Sequence, residues 1–528
     1  MASVLNQPSG VAVWPDFGAV RSASAANTRP FGMQAFSKLV LLIVCCECVF
    51  SVAYRSVALA THSAKLSWPA GLLMVAVAVL CFGFRVPIQV KLQQWIGRLP
   101  ADTPTWFWMW LVLGIFLRLA WVANYRITIK SDGAAYFYNA ATLATAHTIR
   151  GTFWPPGLSL FEAPFFMLFG AHPWVTYLTT LLLFVGTYFL TYRLAVRLGG
   201  RLAAGIACVV LAGWPTLIAL TPANCKECLL LFLITAIMLL HLLALKADGR
   251  RRWVLLSAAG LLIGCAALTQ PGFNMFPIVS LAVLWVGGIR WGKALLALAV
   301  ISASMLVAIS PWTLRNYVVY HRVFLISTNG GSVFYAANNP HANADYMPDD
   351  PAVLSGDQFA ADKEGYRAGE EWIRQHPLQF AALMVRKQVN FLGDDGIGPY
   401  ETMKRELTHP RRFYALAKGV CNLVWMITWL LVMVSVPQML QRRKWMLAMC
   451  LCFVPILYQL LIDSVFVSGG RHHVCFTGLL AIMTGLALSR EAVAETVADA
   501  ASATARHVHF EDRESPFDSL PPGFTPAT

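Results

Sequence analysis

The sequence predicts an all-α polytopic membrane protein with about twelve transmembrane helices. Two observations support this fold class. Of the 528 residues, 57% are hydrophobic and only 13% are charged, and the mean hydropathy is +0.58. Apolar runs of about 17–25 residues, long enough to cross a bilayer as helices, also recur along the chain. The net charge of +14 is carried mostly between these runs, so it does not indicate a nucleic-acid partner.

The first predicted span is also the expected insertion signal. Residues 1–35 are polar and Ser-rich and lack the short apolar core and cleavage site of a signal peptide. The spans are predicted at residues 37–54, 69–86, 105–124, 174–192, 202–220, 227–245, 254–271, 275–289, 294–312, 413–436, 446–464 and 473–488.

Basic residues predict the orientation of these spans. Each short, strongly basic connector follows an even-numbered span, so the positive-inside rule places all of them, and both termini, in the cytoplasm. The connector residues are Arg85, Lys91 and Arg98; Arg193, Arg197 and Arg201; Lys246, Arg250, Arg251 and Arg252; Arg290 and Lys293; and Arg442, Arg443 and Lys444.

The outer face is predicted to carry two long loops, residues 125–173 and 313–412. In the first loop, residues 152–170 predict a helix that lies in the membrane interface and starts at Pro155 and Pro156. Counting this helix as a span would move a basic connector to the outer face, which the orientation above excludes.

The second outer loop contains two stretches with helical periodicity. Residues 357–375 predict a soluble amphipathic helix, and residues 376–393 predict an amphipathic helix that can lie on the membrane. The expected organisation is an extension with two spans at 1–104, a transmembrane core at 105–312, the outer loop at 313–412, further spans at 413–488 and a disordered cytoplasmic tail at 489–528.

The cysteines indicate neither a disulfide framework nor a metal centre. Most of them lie inside apolar runs, where a free thiol behaves as a small hydrophobic group. The CxxC pair, Cys225 and Cys228, opens the sixth span and predicts two unpaired thiols one helical turn apart, because no partner ligands for a metal are found.

Polar residues from five distant segments are predicted to meet at the outer membrane boundary. Such a group suits a lipid-linked anionic substrate, because cations bind phosphate and a carboxylate can accept a proton. The candidates are Asp132 after the third span, followed by Tyr136, Tyr138 and Asn139; Lys226 and Glu227 before the sixth; Gln270 after the seventh; Arg315 after the ninth; and Arg471 and His472 before the last.

Each candidate also has a purely structural interpretation. Asp132 could cap the helix that follows it. Arg315 and Arg471 could be snorkelling anchors at the ends of spans. The pair His472 and His473 is more typical of a polar edge than of a metal site. Arg118, within a span, is costly to bury and is harder to explain structurally.

Four stretches, taken in order, resemble one family. They are GIFLRLAWVANY running into SDGAAYFYNAATLA, then WPPGLSLFEAPFFMLFGAHPW, then SPWTLRNYVVYHRVFLISTNGGSVFYAANNP, and finally EEWIRQHPLQFAALMVRKQVNFL. The chain resembles the GT-C membrane glycosyltransferases of the family 39-like group, which includes bacterial relatives of protein mannosyltransferases and lipid A aminoarabinose transferases. The resemblance covers about residues 105–488 and implies a GT-C-like fold with a mixed α/β second outer loop. In the third stretch, the end of the ninth span is similar to that of bacterial members, in which a strand-like segment follows.

The resemblance implies an enzyme of the bacterial inner membrane that transfers a sugar from a polyprenyl-phosphate donor to a glycan, lipid or protein acceptor on the outer face. The donor is a co-substrate and no other cofactor is expected; a divalent metal remains an open question. Asp132 is implied as the general base, and Arg315 and Arg471 as stabilisers of the lipid-phosphate leaving group. Glu227 would orient the sugar or a cation, with Lys226 as its partner. The other expected substrate contacts are Tyr136, Tyr138, Asn139, Trp154, Gln270 and His472.

Two departures from the family narrow this expectation. Asp132 is followed by Gly133 where many members have two adjacent acids, which weakens a metal-assisted interpretation. Trp154-Pro155-Pro156 replaces the Lys-Pro pair of the aminoarabinose transferases, which argues against that specific reaction.

A transporter and a membrane scaffold are the alternative classes of protein. A transporter or flippase for a lipid-linked or anionic substrate should place ionisable residues near mid-membrane and carry paired broken spans; here the span interiors hold little charge apart from Glu47 and Arg118. A membrane scaffold would use loop 313–412 for binding and leave Asp132 without a role.

Overall fold

A computed structural model describes residues 31–61, 64–96, 98–125, 129–149, 151–344, 357–404, 411–439 and 443–489. Within these ranges the chain is helical and contains no strand, which confirms the all-α fold class. The predicted cytoplasmic tail lies outside the described residues, apart from its first residue.

Nineteen α-helices follow one another along the described chain. They are α1 (Phe31–Thr61), α2 (Ala64–Gly83), α3 (Arg85–Ile96), α4 (Pro104–Asn124), α5 (Ser131–Ala146), α6 (Gly157–Phe169), α7 (Pro173–Ala212), α8 (Pro215–Ala219), α9 (Lys226–Lys246), α10 (Gly249–Thr269), α11 (Pro277–Val286), α12 (Trp291–Tyr320), α13 (Gly330–Ala337), α14 (Gln358–Gln375), α15 (Pro377–Leu392), α16 (Ile397–Pro399), α17 (Arg411–Met439), α18 (Arg443–Val465) and α19 (Thr477–Ala487). Two 3-10 helices (Pro271–Met275 and Val474–Phe476) and a π-helix (Tyr400–Lys404) complete the set.

Every predicted span has a helix at its position, but the described chain contains nine helices that are long and apolar enough to cross a membrane. The fourth and fifth predicted spans are joined in α7, a run of 40 residues whose helical backbone is interrupted at Gly200 (φ 80°, ψ −176°). The eighth and twelfth correspond to α11 and α19, which have 10 and 11 residues. At 1.5 Å per residue these two reach only about half-way across a bilayer core of about 30 Å.

The first outer loop folds as two short helices. α6 has 13 residues and is preceded by Pro156 at its N-cap, so it starts at the predicted Pro-Pro pair. With a length of about 20 Å it is too short to span the membrane, and its position in the interface stays a prediction. α5 and α6 pack against each other, and the Ser159 hydroxyl donates a hydrogen bond to the Tyr136 carbonyl at 2.9 Å.

The second outer loop is helical in its described parts, 313–344 and 357–404, and the expected mixed α/β structure is wrong for these residues. The segment after α12 that was expected to be strand-like instead forms α13, which packs against α14. α14 begins where predicted, with the Asp357 carboxylate accepting a hydrogen bond from the Phe359 amide at 3.0 Å. Because α13 buries its apolar side chains against a helix, no neighbouring strand is needed to cover them.

α7 lies at the centre of the transmembrane region and packs against α4, α9 and α19. Large side chains that are fully buried come from the N-cap of α8 (Trp214), from α17 (Trp425 and Trp429) and from α18 (Trp445). This core fixes the ends of the helices relative to one another, and the predicted residues Asp132 and Glu227 lie in the first turns of α5 and α9.

Candidate active site

Asp132 lies in the first turn of α5, at the start of the first outer loop. Lys130, not Asp132, occupies the N-cap position, so the predicted capping role is not observed. A carboxylate in the first turn is nevertheless favoured by the positive end of the helix dipole. The Ser131 hydroxyl donates a hydrogen bond of 3.3 Å to Asp132 Oδ1, leaving Oδ2 directed to another partner.

Arg471 joins two acids that are far apart in the sequence. Its Nη2 donates to Asp132 Oδ2 at 2.7 Å, and its Nε donates to Glu227 Oε1 at 2.9 Å. The side chains of Arg471 and Asp132 are 29% and 27% exposed, whereas that of Glu227 is 1% exposed. Arg471 itself lies in the turn between α18 and the 3-10 helix Val474–Phe476. Its guanidinium therefore links the start of α5 to the start of α9.

The two carboxylates determine the charge of Arg471. Burial by itself would lower the pKa of this guanidinium, but the negative charges of Glu227 and Asp132 outweigh burial and hold the pKa well above its ordinary value. Burial, and next to it the charge of Asp132, raise the pKa of the Tyr136 phenol well above its ordinary value. The site thus contains a permanent cation beside a neutral phenol.

Glu227 is held on both of its oxygens. Arg471 binds Oε1, and the Cys225 thiol donates to Oε2 at 2.6 Å. The carboxylate lies in the first turn of α9, where the helix dipole favours a negative charge. Cys225 and Cys228 are free thiols, as predicted.

These residues line one cavity. Of the predicted site residues, it brings together Asp132, Tyr136, Lys226, Glu227 and Arg471. The complete lining is Lys130, Ser131, Asp132, Gly133, Tyr136, Ala223, Asn224, Cys225, Lys226, Glu227, Ile397, Glu401 and Arg471.

Glu401 was missed by the sequence analysis. It reaches the cavity from the π-helix that follows α16, together with Ile397, so the second outer loop forms part of the wall. The available signal was an acid in GPYE a few residues after the amphipathic α15. By itself that pattern is equally typical of an exposed loop.

The structure explains why Gly133 follows Asp132 in place of a second acid. A Cβ built there would lie 3.0 Å from the Ala223 carbonyl oxygen and 3.2 Å from that of Asn224. The Asn224 amide also donates a hydrogen bond to the Gly133 carbonyl at 3.0 Å. A second acid at position 133 would press its side chain against two carbonyl oxygens, so this close contact between α5 and the start of α9 favours glycine.

Arg315 does not join the cavity lining, contrary to expectation. Its guanidinium donates to the Ile149 carbonyl and lies over the rings of Trp312 and Tyr320, at 4.7 and 5.4 Å from their centroids. Ile149 follows the C-terminal end of α5, whereas Asp132 is at its N-terminal end. Since α5 has 16 residues, about 24 Å of helix separates the two ends.

The remaining candidates lie around the cavity or away from it. His472 binds Asp463 at 2.8 Å through Nδ1, and Trp154 meets the Tyr136 ring edge-on with a centroid distance of 6.1 Å. Tyr138 is 67% exposed on α5. Asn139, one residue further, and Gln270, the C-cap of α10, are outside the described lining. Of these five, Trp154 contacts the ring of the lining residue Tyr136.

Part of the chain matches a known family. Residues 154–314 match the family described as dolichyl-phosphate-mannose-protein mannosyltransferase. The chain is also 29% identical over 183 residues to the candidate mannosyltransferase YycA of Bacillus subtilis (strain 168), covering 32% of this chain and 25% of that protein. These matches confirm the predicted GT-C glycosyltransferase resemblance for the matched segments. The chain spans about a quarter of the length of this relative.

Two solved structures share part of the helical arrangement. The oligosaccharyltransferase AglB of Archaeoglobus fulgidus, in complex with an inhibitory peptide and a dolichol-phosphate, is 14% identical with a TM-score of 0.43, covering 73% of this chain and 50% of that one. ArnT of Cupriavidus metallidurans, bound to undecaprenyl phosphate, is 16% identical with a TM-score of 0.37, covering 74% and 78%. Neither likeness reaches a TM-score of 0.5.

Proposed function

We propose that this protein is a membrane glycosyltransferase that moves a sugar from a polyprenyl-phosphate donor to an acceptor hydroxyl at the outer face. The observation that carries this proposal is the bridge from Arg471 to Asp132 and Glu227 inside one cavity. The family matched by residues 154–314 supports the same class of reaction.

In the proposed reaction Asp132 is the general base. The acceptor oxygen forms a bond to the anomeric carbon of the sugar, and the bond from that carbon to the phosphate oxygen breaks. The acceptor proton passes to Asp132, because a sugar or protein hydroxyl is a poor nucleophile until its proton is accepted. The departing lipid phosphate gains a negative charge, which Arg471 stabilises.

Arg471 can play this part by exchanging one partner. Its Nε bond to the buried Glu227 fixes the plane of the guanidinium, while Nη2 is held by the more exposed Asp132. When a donor phosphate enters, one of its oxygens replaces Asp132 on Nη2, since guanidinium groups bind phosphate in the same geometry as carboxylate. Donor binding would thereby release the Asp132 carboxylate to act on the acceptor.

Other lining residues are suited to holding the sugar. The Tyr136 hydroxyl is buried and has no hydrogen-bond partner among the described residues, so it can donate to a sugar oxygen. Trp154 packs against this ring, and aromatic faces of this kind fit the apolar side of a sugar. Lys226 and Glu401 add one charge of each sign to the wall, and sugar hydroxyls can bind either.

The charge within the spans gives the transporter alternative little support. Arg118 is buried in α4, and its Nη1 donates to the carbonyls of Gly114 and Ala212 at 3.0 and 3.1 Å. Its guanidinium also lies 3.5 Å from the centre of the Phe184 ring. These contacts tie α4 to α7, which is a structural role, whereas the cavity charges lie at helix ends.

We place the cavity on the outer face of a bacterial inner membrane, with both termini in the cytoplasm. Mass spectrometry of envelope glycans, lipids and proteins from wild-type and deletion strains tests the proposal. We expect one envelope component of the deletion strain to be lighter by the mass of one sugar. Complementation with Asp132→Asn should leave this deficit, and Asp248→Asn, an exposed acid that pairs with Arg252, should correct it. An unchanged envelope in the deletion strain, or full correction by Asp132→Asn, would contradict the proposal.

A further inference from the structure

The segment that carries Arg471 is anchored on its far side to a single stretch of the second outer loop. The Ser468 hydroxyl donates to the Lys387 carbonyl at 2.6 Å. Gly470 packs so closely on the Asp394 carbonyl that an added Cβ would lie 1.8 Å from its oxygen. Three residues later, His473 contacts the same stretch through both of its ring nitrogens.

His473 and Asp395 form a fully buried polar pair. His473 Nε2 lies 3.0 Å from Asp395 Oδ1, and His473 Nδ1 lies 2.6 Å from the Phe391 carbonyl oxygen. The other carboxylate oxygen, Oδ2, accepts hydrogen bonds from Trp214 Nε1 at 2.8 Å and from the Thr216 hydroxyl at 2.9 Å. The side chains of the pair are both 0% exposed.

Further contacts fix the plane of the His473 ring. It stacks on Trp425 with a centroid distance of 3.9 Å and an interplanar angle of 15°. The Trp425 indole in turn donates to the Leu392 carbonyl at 2.7 Å, and the Asn422 side chain accepts from the Asp395 amide at 2.9 Å. The pair therefore joins the outer loop, α8 and α17 at one point.

A buried pair of this kind is a poor source of stability, because removing two polar groups from water costs as much as their attraction returns. Its effect is on geometry: every hydrogen-bonding atom of the imidazole and of the carboxylate is directed to a named partner. Arg471 lies two residues before His473, so the backbone that carries the guanidinium cannot move without breaking these bonds.

We propose that His473 and Asp395 are positioning residues that hold Arg471 in place between Asp132 and Glu227. This inference rests on the proposed function, in which Arg471 stabilises the leaving phosphate. Misplacing a reacting group by about 1 Å can lower a rate about 100-fold. His473 acts through Arg471 and does not line the cavity itself, as far as the described residues show.

Two variants and one control test the transfer step. His473→Phe keeps the stacking on Trp425 and removes both ring hydrogen bonds; we expect kcat to fall about 100-fold, with KM for the acceptor changed less than about threefold. His473→Gln can still donate to Asp395 and should recover at least about tenfold of that loss. The control His241→Phe replaces another fully buried histidine, on α9, and should retain wild-type kcat.

A structure of His473→Phe, determined by cryo-electron microscopy, gives a reading that does not depend on activity. We expect Arg471 to leave hydrogen-bond distance of Asp132, Glu227 or both. If Arg471 moves but the wild-type protein transfers no sugar, the proposed function fails and the positioning role stands. An unmoved Arg471, or a wild-type kcat in the folded variant, would overturn the inference. If His473→Phe does not fold, Asp395→Ala serves for the same two measurements, because it removes the side-chain hydrogen bonds to His473, Trp214 and Thr216.

Discussion

The bridge made by Arg471 leads to a quantitative prediction about stability. Replacing Arg471 by Met removes the cation from Glu227, whose side chain is 1% exposed, and leaves a buried carboxylate without its partner. Breaking a buried pair on one side costs about 3–5 kcal/mol, while the half-exposed bond to Asp132 adds at most about 1 kcal/mol. Since Lys226 lies next to Glu227 and the Cys225 thiol still donates to it, we expect a loss of about 3 kcal/mol.

The matched test is a double variant. Glu227→Gln in the Arg471→Met background removes the unpaired buried charge of Glu227, so it should restore about 2 kcal/mol of the free energy of unfolding. The assay is reversible unfolding of the purified protein in mixed detergent micelles, followed by circular dichroism for the wild type, both single variants and the double variant. The reasoning is refuted if Arg471→Met costs less than about 1 kcal/mol, or if Glu227→Gln makes that variant less stable still.

Three further predictions concern Asn224, Lys387 and Arg315. Asn224 has a positive φ of 46° and donates a hydrogen bond to the Gly133 carbonyl. Asn224→Ala should lose about 2 kcal/mol of stability, because it adds backbone strain and removes the hydrogen bond. Asn224→Gly loses only the hydrogen bond and should cost about 1 kcal/mol in the same unfolding assay. Burial lowers the pKa of Lys387 from 10.5 to about 8. Between these two pH values the unfolded chain still binds the proton that the folded protein has released, so the free energy of unfolding should rise with pH from 8 to 10.5. This rise should be smaller in Lys387→Met than in the wild type, measured by the same assay. In a radiolabelled-sugar transfer assay, Arg315→Gln should change the rate less than about threefold, whereas Arg471→Gln should lower it about 100-fold. A comparable loss for both variants would show that Arg315 contributes to the active site.

Much of the site was predictable because the chain carries so little charge. Ionisable groups in an apolar chain are stable only where they reach water or a partner, so the acids and bases must collect at the ends of spans. Once basic connectors had fixed one face, Asp132, Glu227 and Arg471 were predicted on the other. The described contacts join these three residues in one cavity.

The remaining site residues depend on tertiary packing that a single sequence does not reveal. Arg315 and Arg471 both lie at the ends of spans, and only the course of α5 shows that they meet its opposite ends. His473 and Asp395 are 78 residues apart and belong to segments without a shared periodicity. Glu401 reaches the cavity because its loop folds back over α8.

The fold itself departs from the prediction for local physical reasons. Hydropathy predicted separate fourth and fifth spans, since the basic residues around Arg197 interrupt the apolar run. The backbone instead continues through them as α7, with a kink at Gly200. The apolar residues of α13 suited a strand equally well, and their packing against α14 decided in favour of a helix.

The most direct measurement is the rate of sugar transfer by the purified Asp132→Asn variant, with the donor and acceptor identified by the envelope comparison. Asparagine has nearly the same shape but cannot accept the acceptor proton, so kcat should fall by about 10²–10⁴-fold while the donor still binds. Asp248→Asn should behave as the wild type. A kcat within about threefold of the wild type would show that Asp132 is not the base and would contradict the proposed role of the cavity.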